Sequence, residues 1–187
     1  VYKRQEIEGT RRVLPVMARL LRLFRAQQRP IVHVVRLYLA DGSNAELCRR
    51  DMLEDGQLLV VPGTDGAELV DDLKPDLAVR LDHQALLAGN FQALSPHETV
   101  MYKPRWGAFY RTSLEAHLRH LNINTVIFSG CNFANCPRTS IYEASERDFR
   151  VVLVHDAISQ LYDKGRTELE SIGVCMLSAR ELEHEIA

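Results

Sequence analysis

The sequence contains little lysine and no marked excess of either charge sign. Its 187 residues carry 23 Lys and Arg against 25 Asp and Glu, so the formal net charge is −2. No basic stripe or acidic tail stands out, so we expect neither a nucleic acid nor an anionic membrane surface as a partner. Long apolar runs and a secretory signal are also lacking, which argues against a membrane or exported protein.

Cysteine is scarce as well, with four in the chain. A chain of this length can bury a core without disulfides, so we expect all four thiols to be reduced and the protein to be cytoplasmic. Cys131 and Cys136 do not have zinc-ribbon spacing. The seven histidines are scattered, and His117 and His120, at i,i+3, have no evident third ligand. We therefore expect no metal and no cofactor.

Alternating strand-like and helix-like segments predict the fold. Apolar residues at helical spacing predict a first helix over residues 10–28, with Thr10 as its N-cap and Pro15 in or near its first turn. Strands are predicted at 31–35, 99–102, 125–129, 151–154 and 174–177, and further helices at a Thr112–Glu115 capping box and at 137–147, 165–171 and 179–186. This alternation is typical of a mostly parallel sheet between two helical layers, and predicts one α/β/α domain over residues 1–187.

The segment at residues 39–98 is less regular than the rest. Asp-Gly and Pro-Gly turn signals recur in it, and at most a short helix is predicted over residues 66–73. Long connections on α/β scaffolds often carry specificity, so one interpretation is a lid or substrate-recognition region. A surface excursion without any role in binding is the other interpretation, and both stay open.

Cys136 is the strongest candidate for a reactive group. It follows the strand at 125–129 and directly precedes Pro137, a residue favoured at the first helical position, so Cys136 is predicted to be the helix N-cap. Unpaired backbone N–H groups and the positive end of the helix dipole would favour its thiolate form. The same N–H groups could hold an oxyanion. The competing interpretation is an inert buried cysteine that only fills space.

Lys103 is the second candidate, because it follows another predicted strand. The carboxyl ends of parallel strands meet at one edge of a sheet, so Lys103 is expected near Cys136. Aromatic residues and an arginine surround it in the sequence, and this mixture suits an apolar pocket wall that holds one cation. The predicted substrate-binding residues are Arg105, Trp106, Phe109 and, after the other strand, Phe133. Aromatic packing under a surface loop is the alternative.

These motifs together resemble the isochorismatase-like cysteine hydrolases, which include nicotinamidases, N-carbamoylsarcosine amidases and ureidoacrylate amidohydrolases. The resemblance is weak over residues 10–38 and good over residues 99–178. It is carried by Lys103 with Phe109 and Leu114, by Gly130 with Cys136 six residues later, and by Ser140, Glu143, Ala144 and Asp156-Ala157. Phe133 and Pro137 depart from residues that the family often has there, which indicates a subgroup with its own substrate.

The resemblance implies a mechanism and a set of roles. A triad of Asp, Lys103 and Cys136 would form a thiolate that attacks an amide or ureide carbonyl, with a thioester intermediate. A cis peptide is implied near Cys131-Asn132, and the backbone N–H groups of Asn132 and Cys136 would hold the oxyanion. The family also implies a homo-oligomer, a dimer or tetramer, acting on a small molecule.

The triad aspartate is the missing part of the pattern. In the family it ends a strand that precedes the first helix, and nothing before Thr10 resembles such a strand. We expect that strand to lie outside these 187 residues. The alternative is a non-catalytic or regulatory homologue that lacks the aspartate. A dithiol redox protein using Cys131 and Cys136 is a third hypothesis, weakened by the four residues between them.

Overall fold

Helices and strands alternate along residues 8–186, the part of the chain that the computed structural model describes. The strands are β1 Ile31–Val35, β2 Gln92–Ser95, β3 Glu98–Tyr102, β4 Thr125–Gly130, β5 Arg150–Ile158 and β6 Cys175–Leu177. The helices are α1 Thr10–Ala26, α2 Leu47–Glu54, α3 His83–Leu87, α4 Leu114–His120, α5 Cys136–Ser145, α6 Asp163–Ser171 and α7 Ala179–Ile186. The expectation that no strand precedes the first helix concerns the residues before Thr10, of which residues 1–7 lie outside the described range.

The strands form two three-stranded sheets in the orders β1-β3-β2 and β4-β5-β6. All pairs are parallel except β2 with β3, which is antiparallel. The expectation of an α/β fold with a mostly parallel sheet is therefore confirmed. Its division into two half-sheets was not predicted.

A cleft of about 1210 Å³ separates the two half-sheets and is lined by both β1 and β4. Helix α1 packs against both strands and also contacts β5 and α7, so it bridges the halves. Central parallel strands are normally buried on both faces. Here Val34 on β1 is 38% exposed, and residues 125–128 of β4 are only half-buried. The cleft thus leaves one backbone edge of each strand without a strand partner in the described part of the chain.

Residues 39–98 are more regular than predicted. They contain α2, α3, β2 and two short 3₁₀ turns, Asp65–Ala67 and Asp71–Leu73, instead of a single short helix. Their apolar side chains build a core of their own against β3, and its buried members include Leu53, Val60, Leu69, Leu81 and Leu86. A larger core lies between α4, α5, β4 and β5.

Three local predictions at element ends are wrong. The N-cap of α1 is Gly9, in the left-handed region, and not Thr10. The N-cap of α4 is Ser113 and not Thr112. The Thr112 hydroxyl donates to the Ala108 carbonyl at 2.6 Å and so fastens the preceding loop. Strand β5 continues through His155 and Asp156, which were expected to follow it.

A buried carboxylate ties α1 to the first half-sheet. Glu98, 1% exposed, accepts hydrogen bonds from Arg25 Nε at 2.8 Å and Nη2 at 2.7 Å, and lies 2.6 Å from His33 Nε2. Burial alone would raise the pKa of Glu98, but the hydrogen bonds from Arg25 and His33 outweigh it and lower the pKa from 4.5 to about 2. This cluster lies at the start of β1 and β3, away from their carboxyl ends.

We predict that Glu98→Gln destabilises the protein by about 3 kcal/mol at neutral pH, because it leaves Arg25 without its charged partner. The pKa of Glu98 is depressed in the folded state, so its stabilisation is present above about pH 4.5 and is lost as the pH falls towards 2. Urea unfolding at several pH values measures both effects. Glu183→Gln is the matched control, since Glu183 pairs with Arg19 of the same helix at the surface. Equal losses in the two variants would contradict the assignment.

Candidate active site

The candidate site lies where β3 and β4 end. Lys103 directly follows β3, and the loop of residues 131–135 follows β4 and leads into α5. Both Lys103 and Cys136 line the cleft between the half-sheets. Ligands of open α/β sheets bind outside the carboxyl ends of the strands, so this edge is where chemistry is expected.

Lys103 is a buried ammonium with defined partners. Lys103 is 4% exposed, and its Nζ donates to the carbonyls of Arg105 and Trp106, each at 2.8 Å. Burial lowers the pKa of Lys103 below its usual 10.5, and the interaction with Cys136 raises the pKa part of the way back. Two of the three ammonium protons are thus used by carbonyls, and the thiol is the remaining partner.

Cys136 begins α5 but is not its N-cap, which is a correction to the prediction. Asn135 is the N-cap, Cys136 is the first helical residue, and Pro137 is the second. The first N–H groups of a helix lack helical acceptors. Within the described residues, neither Asn132 N–H nor Cys136 N–H has a protein acceptor. Both groups are therefore free of protein acceptors in the described part of the chain, and their role in holding an oxyanion stays a prediction.

The loop between β4 and α5 is held by the end of β5. Ser159 N–H donates to the Gly130 carbonyl at 3.0 Å, and Phe133 N–H donates to the Ser159 carbonyl at 2.9 Å. Asn132 Nδ2 reaches Gln160 Oε1 at 2.8 Å. The Cys131–Asn132 peptide bond is cis, which confirms the expectation from the resemblance. The extension of β5 beyond its predicted end therefore orders this loop.

Two aromatic residues predicted to bind substrate lie in the core instead. Phe133 is fully buried, packs edge-on against Tyr162 and fills the space beside Gly165. Phe109, 4% exposed, packs against Phe149. Neither lines the cleft, so each stabilises the site from behind and does not face a substrate.

Arg105 and Trp106 have different positions. The Arg105 guanidinium donates to the carbonyls of Pro104 and Asn44, at 2.7 and 3.2 Å, and does not line the cleft, which corrects its predicted role. Trp106 lines the cleft and is 37% exposed, as a substrate-facing aromatic residue would be. Its role in binding stays a prediction.

A buried ion pair beside Lys103 was missed. Arg36 directly follows β1, and its guanidinium contacts Glu46 at 3.2 Å, Tyr102 Oη at 3.0 Å and the Asn44 carbonyl at 2.7 Å. Arg36 lowers the pKa of Lys103 and Glu46 raises it, and both line the cleft. The position of Arg36 after a predicted strand was a usable signal, whereas nothing in the sequence pairs it with Glu46.

Hydrogen bonds of the same network hold the first part of the segment at residues 39–98 against the first half-sheet. Asn44 Nδ2 donates to the carbonyl of Leu37 and to Tyr102 Oη, and Tyr38 Oη donates to Glu46. These bonds fasten the first part of the segment to the carboxyl ends of β1 and β3. The lid interpretation stays a prediction for the remainder.

Among the described residues, no group of three or more His, Cys, Asp or Glu is placed to hold a metal ion. His117, one of the two closely spaced histidines, stacks on Phe91 with the ring centroids 4.3 Å apart.

No helix within residues 8–186 has the length and apolarity of a membrane span.

Comparison with known proteins gives a consistent family. The isochorismatase domain profile matches residues 79–172, half of the chain. A crystal structure of an isochorismatase family protein from Desulfovibrio vulgaris is 31% identical, covers 97% of this chain and 87% of its own, and superposes with a TM-score of 0.81. A "probable inactive nicotinamidase" of Arabidopsis thaliana is 24% identical over 97% of this chain and 87% of its own. The ureidoacrylate amidohydrolase RutB of Methylorubrum extorquens is 29% identical over 63% of this chain and 40% of its own.

We predict that iodoacetamide alkylates Cys136 faster than Cys48 or Cys175 near neutral pH. Cys48 and Cys175 are exposed, whereas Cys136 is half-buried. If exposure alone decided the rates, Cys48 and Cys175 would be alkylated faster than Cys136. A thiolate beside Lys103 reverses that order, because the thiolate is the nucleophile. Peptide mass spectrometry after short exposures measures the three rates, and equal rates or faster labelling of the exposed thiols would contradict the prediction.

Lys103→Met should slow the alkylation of Cys136 by iodoacetamide at neutral pH, since a nearby cation favours the thiolate that reacts. Lys164→Met is the control, because the Lys164 side chain is 84% exposed on α6. An unchanged rate in Lys103→Met would remove Lys103 from the site.

Proposed function

We propose that this chain, which belongs to the isochorismatase family, is a cysteine hydrolase that cleaves a C–N bond of a small amide or ureide. The observation that carries the proposal is the placement of the buried Lys103 and of Cys136, the first residue of α5, on the wall of the same cleft. Similarity to an amidohydrolase supports the reaction class. The half-exposed Trp106 in the cleft supports a small, partly apolar substrate.

The first half of the proposed reaction forms a thioester. The Cys136 thiolate adds to the substrate carbonyl carbon, and the N–H groups of Asn132 and Cys136 donate to the resulting oxyanion. The tetrahedral intermediate then collapses and its C–N bond breaks. The nitrogen leaves as ammonia or an amine and takes the proton that a general base removed from the thiol.

The second half regenerates the thiolate. Water adds to the thioester carbonyl, and the general base takes the proton of that water. The C–S bond breaks, and a carboxylic or carbamic acid is released. Lys103 stays an ammonium throughout and stabilises the sulfur anion before and after the cycle.

The general base is proposed to be a carboxylate delivered into the cleft between β1 and β4. None of the described residues places a carboxylate in a hydrogen bond with Lys103 or an ion pair with it. The cleft is lined by Lys103 and Cys136, and β1 and β4 border it with unpaired edges. An extended segment bound in this cleft would bring a side chain close to the Cys136 thiol. The resemblance to the family implies that the triad aspartate lies at that position.

A non-catalytic homologue of the same fold is the second candidate. It is favoured by the lack of such a carboxylate within residues 8–186 and by the similarity to the "probable inactive nicotinamidase". The two candidates make the same prediction for the fold and opposite predictions for turnover.

We predict that the protein releases ammonia from at least one member of a panel of nicotinamide, maleamate, ureidoacrylate and N-carbamoylsarcosine. Cys136→Ala should lower that rate by about a thousandfold or more while circular dichroism stays unchanged. Cys175→Ala, an exposed thiol on β6, should keep full activity. Turnover in Cys136→Ala would contradict the mechanism. No turnover of any amide, with no acyl adduct on Cys136 by intact mass, would favour the non-catalytic homologue.

A further inference from the structure

The loop that carries Lys103 rests on the helix that carries Cys136. Ala108 N–H donates to Ser140 Oγ at 3.0 Å, and Phe109 N–H donates to Glu143 Oε2 at 2.9 Å. Ser140 and Glu143 both belong to α5. The loop is therefore fastened to this helix by two side chains, although the two segments are far apart in the sequence.

These bonds belong to a chain of contacts that connects both reactive groups. Ser140, 4% exposed, donates through Oγ to the Cys136 carbonyl at 2.7 Å while accepting from Ala108 N–H. Trp106, two residues before Ala108, supplies a carbonyl to Lys103 Nζ. The chain of contacts runs from Cys136 through Ser140 and the loop to Lys103, which lines the same cleft as Cys136. Moving the loop would move the ammonium.

Gly107 makes room for this arrangement. A Cβ atom built on Gly107 would overlap the Glu143 carboxylate. Gly107 does not have a positive φ, so the requirement is one of space and not of backbone conformation. Any side chain at position 107 would push the carboxylate away from Phe109 N–H.

We propose that Ser140 and Glu143 are positioning residues that hold the loop of residues 103–110 on α5 and so keep the Lys103 ammonium against the Cys136 sulfur. The inference rests on the proposed function, since it takes the Lys103–Cys136 pair as the reactive unit. Neither residue touches the reacting atoms. Both act through the two carbonyls that orient Lys103.

The direction in which the pH midpoint of Cys136 alkylation (the pH of half-maximal rate) moves when Glu143 is replaced distinguishes a positioning role from a purely electrostatic one. If Glu143 acted only through its negative charge, its removal would favour the nearby thiolate and lower the pH midpoint of Cys136 alkylation. If it positions Lys103, removal withdraws the ammonium and raises the midpoint. Arg36 and Glu46, the other charged groups that act on Lys103, are unchanged in every variant.

The experiment measures the rate of Cys136 alkylation by iodoacetamide against pH, with Cys175 as an internal reference. Glu143→Ala and Ser140→Ala should raise the midpoint, so that alkylation at a fixed pH below it is about tenfold slower. Glu143→Gln keeps an acceptor for Phe109 N–H and should react at the wild-type rate. Glu146→Ala, an exposed glutamate at the end of the same helix, is the matched control.

Gly107→Ala provides a second route, because it displaces the Glu143 carboxylate without replacing Ser140 or Glu143. It should raise the midpoint as Glu143→Ala does, and the double variant should be no worse than either single variant, because both displace the same hydrogen bond. This variant also tests the proposal if Glu143→Ala does not fold.

A double-mutant cycle with Lys103→Met closes the test. If positioning acts through Lys103, adding Glu143→Ala to Lys103→Met changes the midpoint no further. A midpoint that falls in Glu143→Ala, or that stays unchanged in Glu143→Ala, Ser140→Ala and Gly107→Ala, overturns the positioning role while the proposed function stands. A midpoint that is also unchanged in Lys103→Met overturns the reactive pair on which both depend.

Discussion

The contact between a buried ammonium and a thiol is the interaction on which this site depends. Burial separates the Lys103 ammonium from solvent and lowers its pKa, so an anionic neighbour stabilises its charged form strongly. Two carbonyls take two of its protons and leave one direction for the sulfur. Cys136 stands at the first residue of α5, where backbone N–H groups have no helical acceptor. Each partner therefore stabilises the charged form of the other.

The fold brings these two groups together through strand ends. Strands β3 and β4 belong to different half-sheets, and the contacts of the Lys103 loop with α5 join their carboxyl ends at the edge of the cleft. Helix α1 holds the halves from one side through its contacts with β1, β4 and β5. The buried pair of Glu98 and Arg25 fixes the far end of the same helix. The geometry of the site is thus a property of tertiary contacts and not of either loop alone.

Much of this could be predicted from the sequence, and the exceptions have physical reasons. The strands at 31–35 and 125–130 were predictable because apolar runs between turn signals report burial directly. Lys103 and Cys136 were predictable because polar residues after parallel strands share one edge. Phe109 and Phe133 were misassigned because proximity in sequence does not tell which side of a loop a ring faces. The Thr112 capping box failed because α4 begins one residue later than predicted, after Ser113, while the Thr112 hydroxyl donates to the Ala108 carbonyl of the preceding loop. The Arg36–Glu46 pair could not be found, since the two residues lie at opposite ends of the irregular loop between β1 and α2, where no periodicity shows which side chains meet.

The most direct test of the central claim is an ultraviolet titration of the thiolate, taken as the difference between the protein and Cys136→Ala. The account predicts a thiolate band from Cys136 that is present at neutral pH and is lost from the neutral spectrum when Lys103 is replaced by Met. A difference band that first grows in near pH 8.5, about where an ordinary cysteine ionises, in both backgrounds would contradict it.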